Sequence, residues 1–314
     1  MSGIWTYADL LKPFVKKEFR LSLTEGNTPL EENKELGKIL GLEAILLKRE
    51  DFNPTGSHKD RGLVFQISAH LQAGRKEFVI SSSGNSSISA INLLRNRKEK
   101  LHVFLSENIS DEKFSRLKKI FPNLEKKGSE FENFIFHFTK KPLSKAFLFA
   151  KENNLTFLRG STDKYGYEGF KTIGYEIEGE DFDSIFIPTS SGTTAKGIYE
   201  GLNLKKPFHI VQTTKVNTLV QEFDKDYEKS QDSIANSIVD RVGHRKVDVK
   251  KIIEETNGTG WAISDKEIMQ AQEILKREGI ETSNESALTI AGIKKAKEKG
   301  WEIKKPLCIF TGTK

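Results

Sequence analysis

The sequence predicts an α/β protein with two domains, each built on a largely parallel sheet flanked by helices. Three observations lead to this prediction. The chain has 314 residues, a length that suggests two domains. Short apolar segments alternate with longer amphipathic segments, which is the order typical of parallel sheets. Two apolar segments run into small-polar loops followed by helical patterns, at 78–87 and 185–198.

The apolar segments predict strands at Ala44–Leu47, Phe78–Ile80, His102–Leu105, Phe134–Phe138, Ile185–Ile187, Phe208–Gln212 and Leu307–Phe310. Apolar residues at helical spacing predict a helix over Asp60–Leu71. A second helix is predicted over Asp265–Glu278, because Ser264 and Glu267 form a capping-box pair. The weakly patterned region Ser106–Lys151 supports no further assignment.

Composition excludes several classes of function. The 50 basic and 44 acidic residues are interspersed, so the net charge of +6 indicates a solvated surface and no nucleic-acid partner. No apolar run approaches the roughly 18 residues that span a membrane, and no signal-peptide pattern opens the chain. Cys308 lies in an apolar run, so we expect a buried, unreactive thiol and a cytoplasmic protein. The scattered histidines predict no metal site.

The strongest chemical signal is the segment Asn53-Pro-Thr-Gly-Ser-His-Lys-Asp-Arg-Gly62. Pro54 and Gly56 predict a turn, after which Lys59 falls in the first turn of a helix. The positive end of a helix disfavours an ammonium and lowers its pKa. A neutral lysine amine can form a Schiff base, although the same pattern alone also suits an ordinary loop lysine.

The two small-polar loops, Ser81–Ser87 and Pro188–Thr194, each follow a predicted strand. In parallel sheets, ligands bind where the carboxyl ends of strands meet helix N-termini, because unpaired N–H groups there attract anions. Two such loops predict that the protein holds two anionic groups.

The motifs, taken in order, resemble those of the fold-type II pyridoxal-5′-phosphate (PLP) enzymes, and within that family they look most like threonine synthase. They are Glu25-Gly-Asn-Thr-Pro-Leu30, Lys48–Gly62, Ser82-Ser-Gly-Asn85, Glu168-Gly-Phe-Lys-Thr172, Ser190–Thr194, Gly279-Ile-Glu281 and Thr311-Gly-Thr-Lys314. The resemblance implies PLP in a cleft between a large PLP-binding domain (1–48 and 157–314) and a small domain (49–156). It also implies a small amino-acid substrate and a homodimer.

The resemblance further implies roles for individual residues. Lys59 would hold PLP as an imine and shuttle the α-proton of the substrate. Asn85 would hydrogen-bond the 3′-oxygen of the cofactor, and Thr311 would face its pyridine nitrogen. The residues implied to bind the substrate carboxylate are Ser83, Ser86 and Ser87. Those implied to bind the cofactor phosphate are Ser190, Ser191, Gly192, Thr193 and Thr194. Simpler interpretations are a helix cap for the serines and a strand end for Thr311.

One segment departs from the threonine synthase pattern. Asp163 and Gly166 stand where those enzymes usually carry an asparagine and an arginine that help bind the phosphate of O-phosphohomoserine. Losing these groups should weaken phosphate binding by on the order of several kcal/mol. Lys164 is the expected replacement cation, and Gly166→Arg is expected to raise activity on this substrate.

The leading hypothesis is therefore a PLP-dependent lyase of amino-acid biosynthesis that converts O-phosphohomoserine to threonine and phosphate. A β-elimination or β-replacement enzyme, similar to serine or threonine dehydratase, is the second hypothesis. Asp163 and Gly166 favour it, because an unphosphorylated substrate needs no phosphate clamp. The third hypothesis is a non-catalytic PLP-binding protein, against which the presence of Lys59 and Asn85 counts.

Overall fold

The computed structural model describes residues 3–203 and 206–313. Its strands are β1 (Leu30–Asn33), β2 (Ile45–Arg49), β3 (Glu77–Ser81), β4 (Lys100–Ser106), β5 (Ser129–Phe131), β6 (Phe134–Thr139), β7 (Thr156–Phe157), β8 (Ser184–Pro188), β9 (Phe208–Thr213), β10 (Thr259–Ile263) and β11 (Pro306–Phe310). Its α-helices are α1 (Lys34–Ile39), α2 (Lys59–Gln72), α3 (Asn85–Leu94), α4 (Asp111–Lys118), α5 (Pro142–Glu152), α6 (Lys171–Ile177), α7 (Thr193–Gly201), α8 (Lys246–Thr256), α9 (Asp265–Arg277) and α10 (Asn284–Glu298).

The strands form two sheets. The six-stranded sheet has the order β1-β2-β11-β8-β9-β10, and the five-stranded sheet has the order β5-β6-β4-β3-β7. Neighbouring strands are parallel, except that β1 pairs antiparallel with β2 and β5 with β6. The predicted α/β class with two largely parallel sheets is therefore confirmed.

The chain divides into two compact units, one around each sheet. Unit 1 comprises 3–25 and 59–169 and contains the five-stranded sheet. Unit 2 comprises 26–58 and 170–313, apart from the undescribed residues 204–205, and contains the six-stranded sheet. This division differs from the domain boundaries predicted from the sequence in three segments, 3–25, 49–58 and 157–169.

Long-range pairing explains the three differences. Residues 49–58 stay with unit 2, because Ser57 forms a β-bridge with Gly312 beyond the end of β11. Residues 157–169 belong to unit 1, where the N–H of Leu158 donates to the carbonyl of Val79 at 2.8 Å. The segment 3–25 also packs on unit 1, since the N–H of Leu21 donates to the Ser68 hydroxyl of α2 at 2.9 Å.

The central strand β11 shows why a predicted strand such as Leu307–Phe310 is a continuous apolar run in the sequence. Helices cover both faces of its sheet, so all five of its residues are buried. Leu307 and Ile309 enter one apolar cluster, while Cys308 and Phe310 enter the other. Burial raises the pKa of the Cys308 thiol to about 12, which confirms the expected unreactive cysteine.

Both predicted helices are present, with small differences at their ends. Ser264 and Glu267 form the predicted capping box at the start of α9. In the weakly patterned region, the structure has the helices α4 and α5 and the short strand β5. Within residues 3–203 and 206–313, no helix combines the length and apolar character that crossing a bilayer requires.

Candidate active site

Lys59 is the first residue of α2, in unit 1. Burial of the amino group lowers the pKa of Lys59 to about 8. The predicted direction of the shift is confirmed, but its cause is desolvation rather than the helix dipole invoked from the sequence. At pH 7, an amine with this pKa is neutral in about one molecule in ten, compared with less than one in a thousand for an ordinary lysine. The side chain can therefore act as a nucleophile or a base.

The predicted turn before Lys59 is also present, in unit 2. The N–H of Gly56 donates to the carbonyl of Asn53 at 2.7 Å, and Gly56 has a φ of +77°. A Cβ on Gly56 would lie 2.7 Å from the Thr313 hydroxyl oxygen. The Thr313 N–H in turn donates to the carbonyl of Gly56 at 3.0 Å. Glycine thus allows the turn to lie directly against the segment that follows β11.

His58 is anchored to the end of β11. The ring Nδ1 lies 2.8 Å from the carbonyl oxygen of Thr311, and the backbone N–H of His58 donates to the same oxygen at 3.1 Å. Because a carbonyl only accepts, Nδ1 carries the proton in this contact. The hydroxyl of Ser57 donates to this oxygen as well, at 3.1 Å. These bonds fix the residue that precedes Lys59.

The segment 159–169 supports the lysine helix within unit 1. A Cβ on Gly169 would lie only 2.0 Å from the carbonyl oxygen of Arg61, which is in the first turn of α2. At the far end of α2, His70 Nε2 lies 2.7 Å from Asp163 Oδ2. The glycine of the Glu168–Thr172 motif is therefore explained by close packing against the helix that begins at Lys59.

Asp163 is bound to protein groups on both carboxylate oxygens. Its Oδ2 contacts His70, and its Oδ1 accepts the N–H of Tyr165 at 2.7 Å. Burial acts to raise the pKa of Asp163, but the hydrogen bonds and the charge of His70 outweigh it, and the pKa is lowered. The carboxylate therefore stabilises the segment that supports α2, a role that the sequence did not reveal.

A side chain on Gly166 would clash with the backbone in this fold. A Cβ there would lie 2.3 Å from the carbonyl oxygen of Gly160 and 2.5 Å from its Cα. Backbone atoms obstruct the position, which argues against the expectation that Gly166→Arg would restore a phosphate clamp. Lys164 is exposed, and its ammonium lies 4.7 Å from the centre of the Tyr165 ring. Its predicted contact with substrate stays a prediction.

The first small-polar loop joins β3 to α3 in unit 1. The N–H of Gly84 donates to the Ser82 hydroxyl at 3.2 Å, and the Ser87 hydroxyl donates to the carbonyl of Gly84 at 3.0 Å. Ser87 is fully buried, so its hydroxyl shapes the loop. The groups without a protein partner in the described residues are the hydroxyls of Ser83 and Ser86 and the Nδ2 of Asn85. With the unpaired N–H groups of the first helical turn, they form a set of donors suited to a carboxylate.

The second loop joins β8 to α7 in unit 2. Gly192 precedes the helix with a φ of +84°, and its N–H donates to the Thr189 hydroxyl at 3.0 Å. A Cβ on Gly192 would lie 2.5 Å from Val249 Cγ2, so the single glycine of this loop sits where glycine is required. Thr193 and Thr194 form the first turn of α7. Their N–H groups face the position expected for an anion at a helix N-terminus.

Hydroxyls stiffen the same loop. The Ser190 hydroxyl accepts the N–H groups of Val239 and Asp240 at 2.8 and 2.9 Å. The hydroxyls of Ser191 and Thr193 lie 2.8 Å apart. These bonds hold the loop in one conformation, in a place where additional glycines would leave it more flexible.

Arg245 is a functional candidate that the sequence reasoning missed. Its Nε donates to the Thr193 hydroxyl at 3.3 Å, and the residue is only 8% exposed. It is 52 residues away from Thr193 along the chain, so no local motif connects the two. A guanidinium beside this loop would strengthen the binding of a phosphate.

Thr311 follows β11, the parallel neighbour of β8. Parallel strands bring their carboxyl ends to one edge of the sheet, so Thr311 and the Thr189–Gly192 loop lie along the same edge. Thr311 is buried, and its carbonyl is bound to Ser57 and His58. Its hydroxyl has no hydrogen-bond partner in the part of the chain that the structure describes. That hydroxyl is available to a ligand nitrogen.

Comparison with known proteins identifies the class of ligand. The family model for pyridoxal-phosphate dependent enzymes matches residues 21–312. The chain belongs to this family. Threonine synthase of Methanocaldococcus jannaschii is 30% identical over 99% of this chain and 80% of its own length. Threonine synthase of Methanosarcina acetivorans is 28% identical over 99% of this chain and 79% of its own.

Solved structures of this family have the same fold. Maize serine racemase superimposes with a TM-score of 0.74 at 17% identity, covering 92% of this chain and 88% of its own. The processed form of threonine deaminase isoform 2 from Solanum lycopersicum gives 0.74 at 16% identity, covering 100% and 86%. At these identities the likeness concerns the fold alone. The predicted fold-type II architecture and the PLP cofactor are confirmed.

Candidate residues within each unit fit individual groups of this cofactor. A buried amine of lowered pKa suits its aldehyde, and the Nδ2 of Asn85 suits an oxygen that accepts a hydrogen bond. The unpartnered Thr311 hydroxyl suits a ring nitrogen, and the start of α7 suits a phosphate. The chemistry of each group of PLP is therefore matched by a donor or a nucleophile of this chain.

Proposed function

We propose that this protein is a threonine synthase, which converts O-phosphohomoserine and water to threonine and inorganic phosphate by loss of the γ-phosphate and addition of water at the β-carbon. The observation that carries the proposal is that relatives with this name align over 99% of the chain at 28–30% identity. Lys59, whose amine is buried and whose pKa is about 8, supports an enzyme rather than a non-catalytic PLP-binding protein.

Each unit contributes defined groups to the proposed reaction. In unit 1, Lys59 would hold the cofactor and Asn85 would donate to its 3′-oxygen. In unit 2, Thr311 would donate to the ring nitrogen. The proposed phosphate-binding residues, also in unit 2, are Ser190, Ser191, Gly192, Thr193 and Thr194. When bound, PLP supplies an electron sink for the charge left by removal of the α-proton.

Lys59 would then act as the base. A base works best when its pKa lies near the operating pH, and a pKa of about 8 meets that condition. The amine would remove the proton from the α-carbon of the substrate and return a proton later in the cycle. Ser83, Ser86 and the N-terminus of α3 would hold the carboxylate, which fixes the orientation of the bond to the α-proton.

The alternative is a β-elimination or β-replacement enzyme that acts on an unphosphorylated amino acid such as serine or threonine. The clash that a side chain at position 166 would make with Gly160 favours this alternative, because it argues against a phosphate-binding guanidinium there. The homodimer, the cytoplasmic location and the sequence-based domain boundaries are proposals that accompany either function.

The proposal is tested by supplying the PLP-loaded protein with O-phosphohomoserine, L-serine or L-threonine in separate reactions. We expect equal amounts of inorganic phosphate and threonine from O-phosphohomoserine, and none from the Lys59→Ala variant, whose visible cofactor absorption should also be lost. Formation of 2-oxo acid and ammonia from serine or threonine alone would establish the alternative instead. Full activity of Lys59→Ala would show that the assigned lysine is wrong.

A further inference from the structure

Arg116 lies beside the first small-polar loop of unit 1. Its Nη2 donates to Asn85 Oδ1 at 2.9 Å, and the residue is half-buried. It belongs to α4, which follows β4, and Asn85 begins α3, which follows β3. Because β3 and β4 are parallel neighbours, the loops after them lie at one edge of the sheet. The guanidinium is therefore held at the same edge as the donors proposed to bind substrate.

The guanidinium has unused hydrogen-bonding capacity. Arginine has five N–H donors, and this one uses a single donor, toward Asn85. Across residues 3–203 and 206–313, no carboxylate oxygen lies within 4.0 Å of it. Arg49, by contrast, is paired with Asp51 and Glu31. A half-buried guanidinium keeps part of its hydration, and its remaining N–H donors are available to a ligand that supplies a counter-charge.

The neighbouring groups share its preference for an anion. The Ser86 hydroxyl and the first N–H groups of α3, which the proposed function assigns to the substrate carboxylate, are donors that have no acceptor within the described part of the chain. Of the two acidic residues in the first turn of α4, Asp111 is exposed and pairs with Lys126, and Glu112 is exposed and forms no ion pair with the described residues. The surroundings of Arg116 therefore favour a ligand with several acceptor oxygens.

We propose that Arg116 binds the anionic substituent of the substrate side chain, which for O-phosphohomoserine is the phosphate. This inference rests on the proposed function and deepens it. It would supply a guanidinium to a chain that has glycine at position 166, where a side chain would clash with Gly160. The planar fork of arginine can bind two phosphate oxygens at once, whereas a lysine offers a point charge.

The test uses the PLP-loaded enzyme and three variants. Arg116→Gln removes the charge, and Arg116→Lys retains a charge without the fork. Arg95→Gln is the matched control, because Arg95 is an exposed arginine at the end of α3, outside the proposed site, and its loss changes the net charge equally. The measurements are kcat and KM for O-phosphohomoserine, the Kd of inorganic phosphate by calorimetry, and the visible spectrum of the cofactor.

We expect Arg116→Gln to raise both KM and the phosphate Kd by about 10- to 100-fold, as expected for a charged hydrogen bond. Its spectrum and thermal unfolding should match those of the wild type. Arg116→Lys should fall between the two, and it carries the test if Arg116→Gln does not fold. Arg95→Gln should behave as wild type.

An unchanged phosphate Kd in Arg116→Gln would overturn the inference. A shifted cofactor spectrum with unchanged phosphate Kd would do so too, since it would show that Arg116 acts only through Asn85. Phosphate binding that depends on Arg116, in an enzyme that does not turn over O-phosphohomoserine, would refute the proposed function and leave the anion site standing. Turnover of O-phosphohomoserine with a KM that Arg116→Gln leaves unchanged would support the proposed function and refute the anion site at Arg116.

Discussion

Replacing Asp163 with asparagine tests whether the segment 159–169 stabilises α2. The Asp163 and His70 side chains are 7% and 13% exposed, and their contact distance is 2.7 Å. Asparagine keeps an acceptor for the Tyr165 N–H but loses the charge that strengthens both hydrogen bonds. A charged hydrogen bond contributes about 1.5–3 kcal/mol, so we expect Asp163→Asn to lower the free energy of unfolding by roughly that amount.

The pH dependence of this loss follows from the direction of the pKa shift. The pKa of Asp163 is lower in the folded protein than its ordinary value. The carboxylate therefore contributes its full stabilisation above the unfolded pKa of about 3.9 and loses it as the pH falls through the folded value. The difference between wild type and variant should be complete at pH 7 and should shrink in acid below pH 4.

Thermal unfolding at pH 7, followed by circular dichroism, measures the effect. A loss of this size should lower the midpoint temperature by roughly 3–8 °C. Asp9→Asn is the control, because Asp9 is an exposed carboxylate in the same unit. If Asp163→Asn unfolds like wild type and its KM for O-phosphohomoserine falls tenfold, then Asp163 repels substrate phosphate and the structural role assigned to it is wrong.

Three further predictions concern the lysine helix and its support. The rate at which the PLP-free protein captures PLP should rise about tenfold per pH unit below pH 7 and level off above the Lys59 pKa of about 8. A rate that continues to rise up to pH 10 would contradict the lowered pKa. Gly166→Ala should lower the free energy of unfolding, measured in urea, by about 1–3 kcal/mol, because its Cβ would clash with Gly160. Wild-type stability of this variant would show that the backbone at Gly160 can move at little cost. Gly169→Ala should destabilise the protein similarly and also slow PLP capture, because its Cβ would displace Arg61, two residues after Lys59. Capture of PLP at the wild-type rate would show that position 169 does not influence Lys59.

The strands, turns and helix caps that could be predicted are those that depend on residues adjacent in the sequence. The strands β8 and β11 are buried on both faces, so their residues Ile185–Ile187 and Leu307–Phe310 appear in the sequence as continuous apolar runs. Strand β1, with the sequence Leu-Glu-Glu-Asn, lies at the edge of its sheet and carries no such run. The turn at Gly56 and the helix N-cap at Ser264 could likewise be predicted from single residue types.

The features that sequence reasoning missed depend on contacts between distant residues. Asp163 and His70 are 93 residues apart, and no local pattern indicates that the carboxylate has a partner. Arg245 reaches the Thr193 hydroxyl across 52 residues. The division into compact units differs from the predicted domain boundaries for the same reason, since the bridge from Ser57 to Gly312 joins segments separated by almost the whole chain. A resemblance between motifs transfers roles to aligned positions, but it does not show which neighbours surround them.

The position of β11 in its sheet has a consequence for how the protein is made on the ribosome. This strand lies between β2 and β8, yet it is synthesised after every other strand of the six-stranded sheet. Unit 1 is complete in sequence by residue 169 and can fold while translation continues. The halves of the other sheet have no direct pairing until residues 306–310 emerge. We therefore expect nascent chains stalled before that point to expose apolar strand edges and to depend on chaperones.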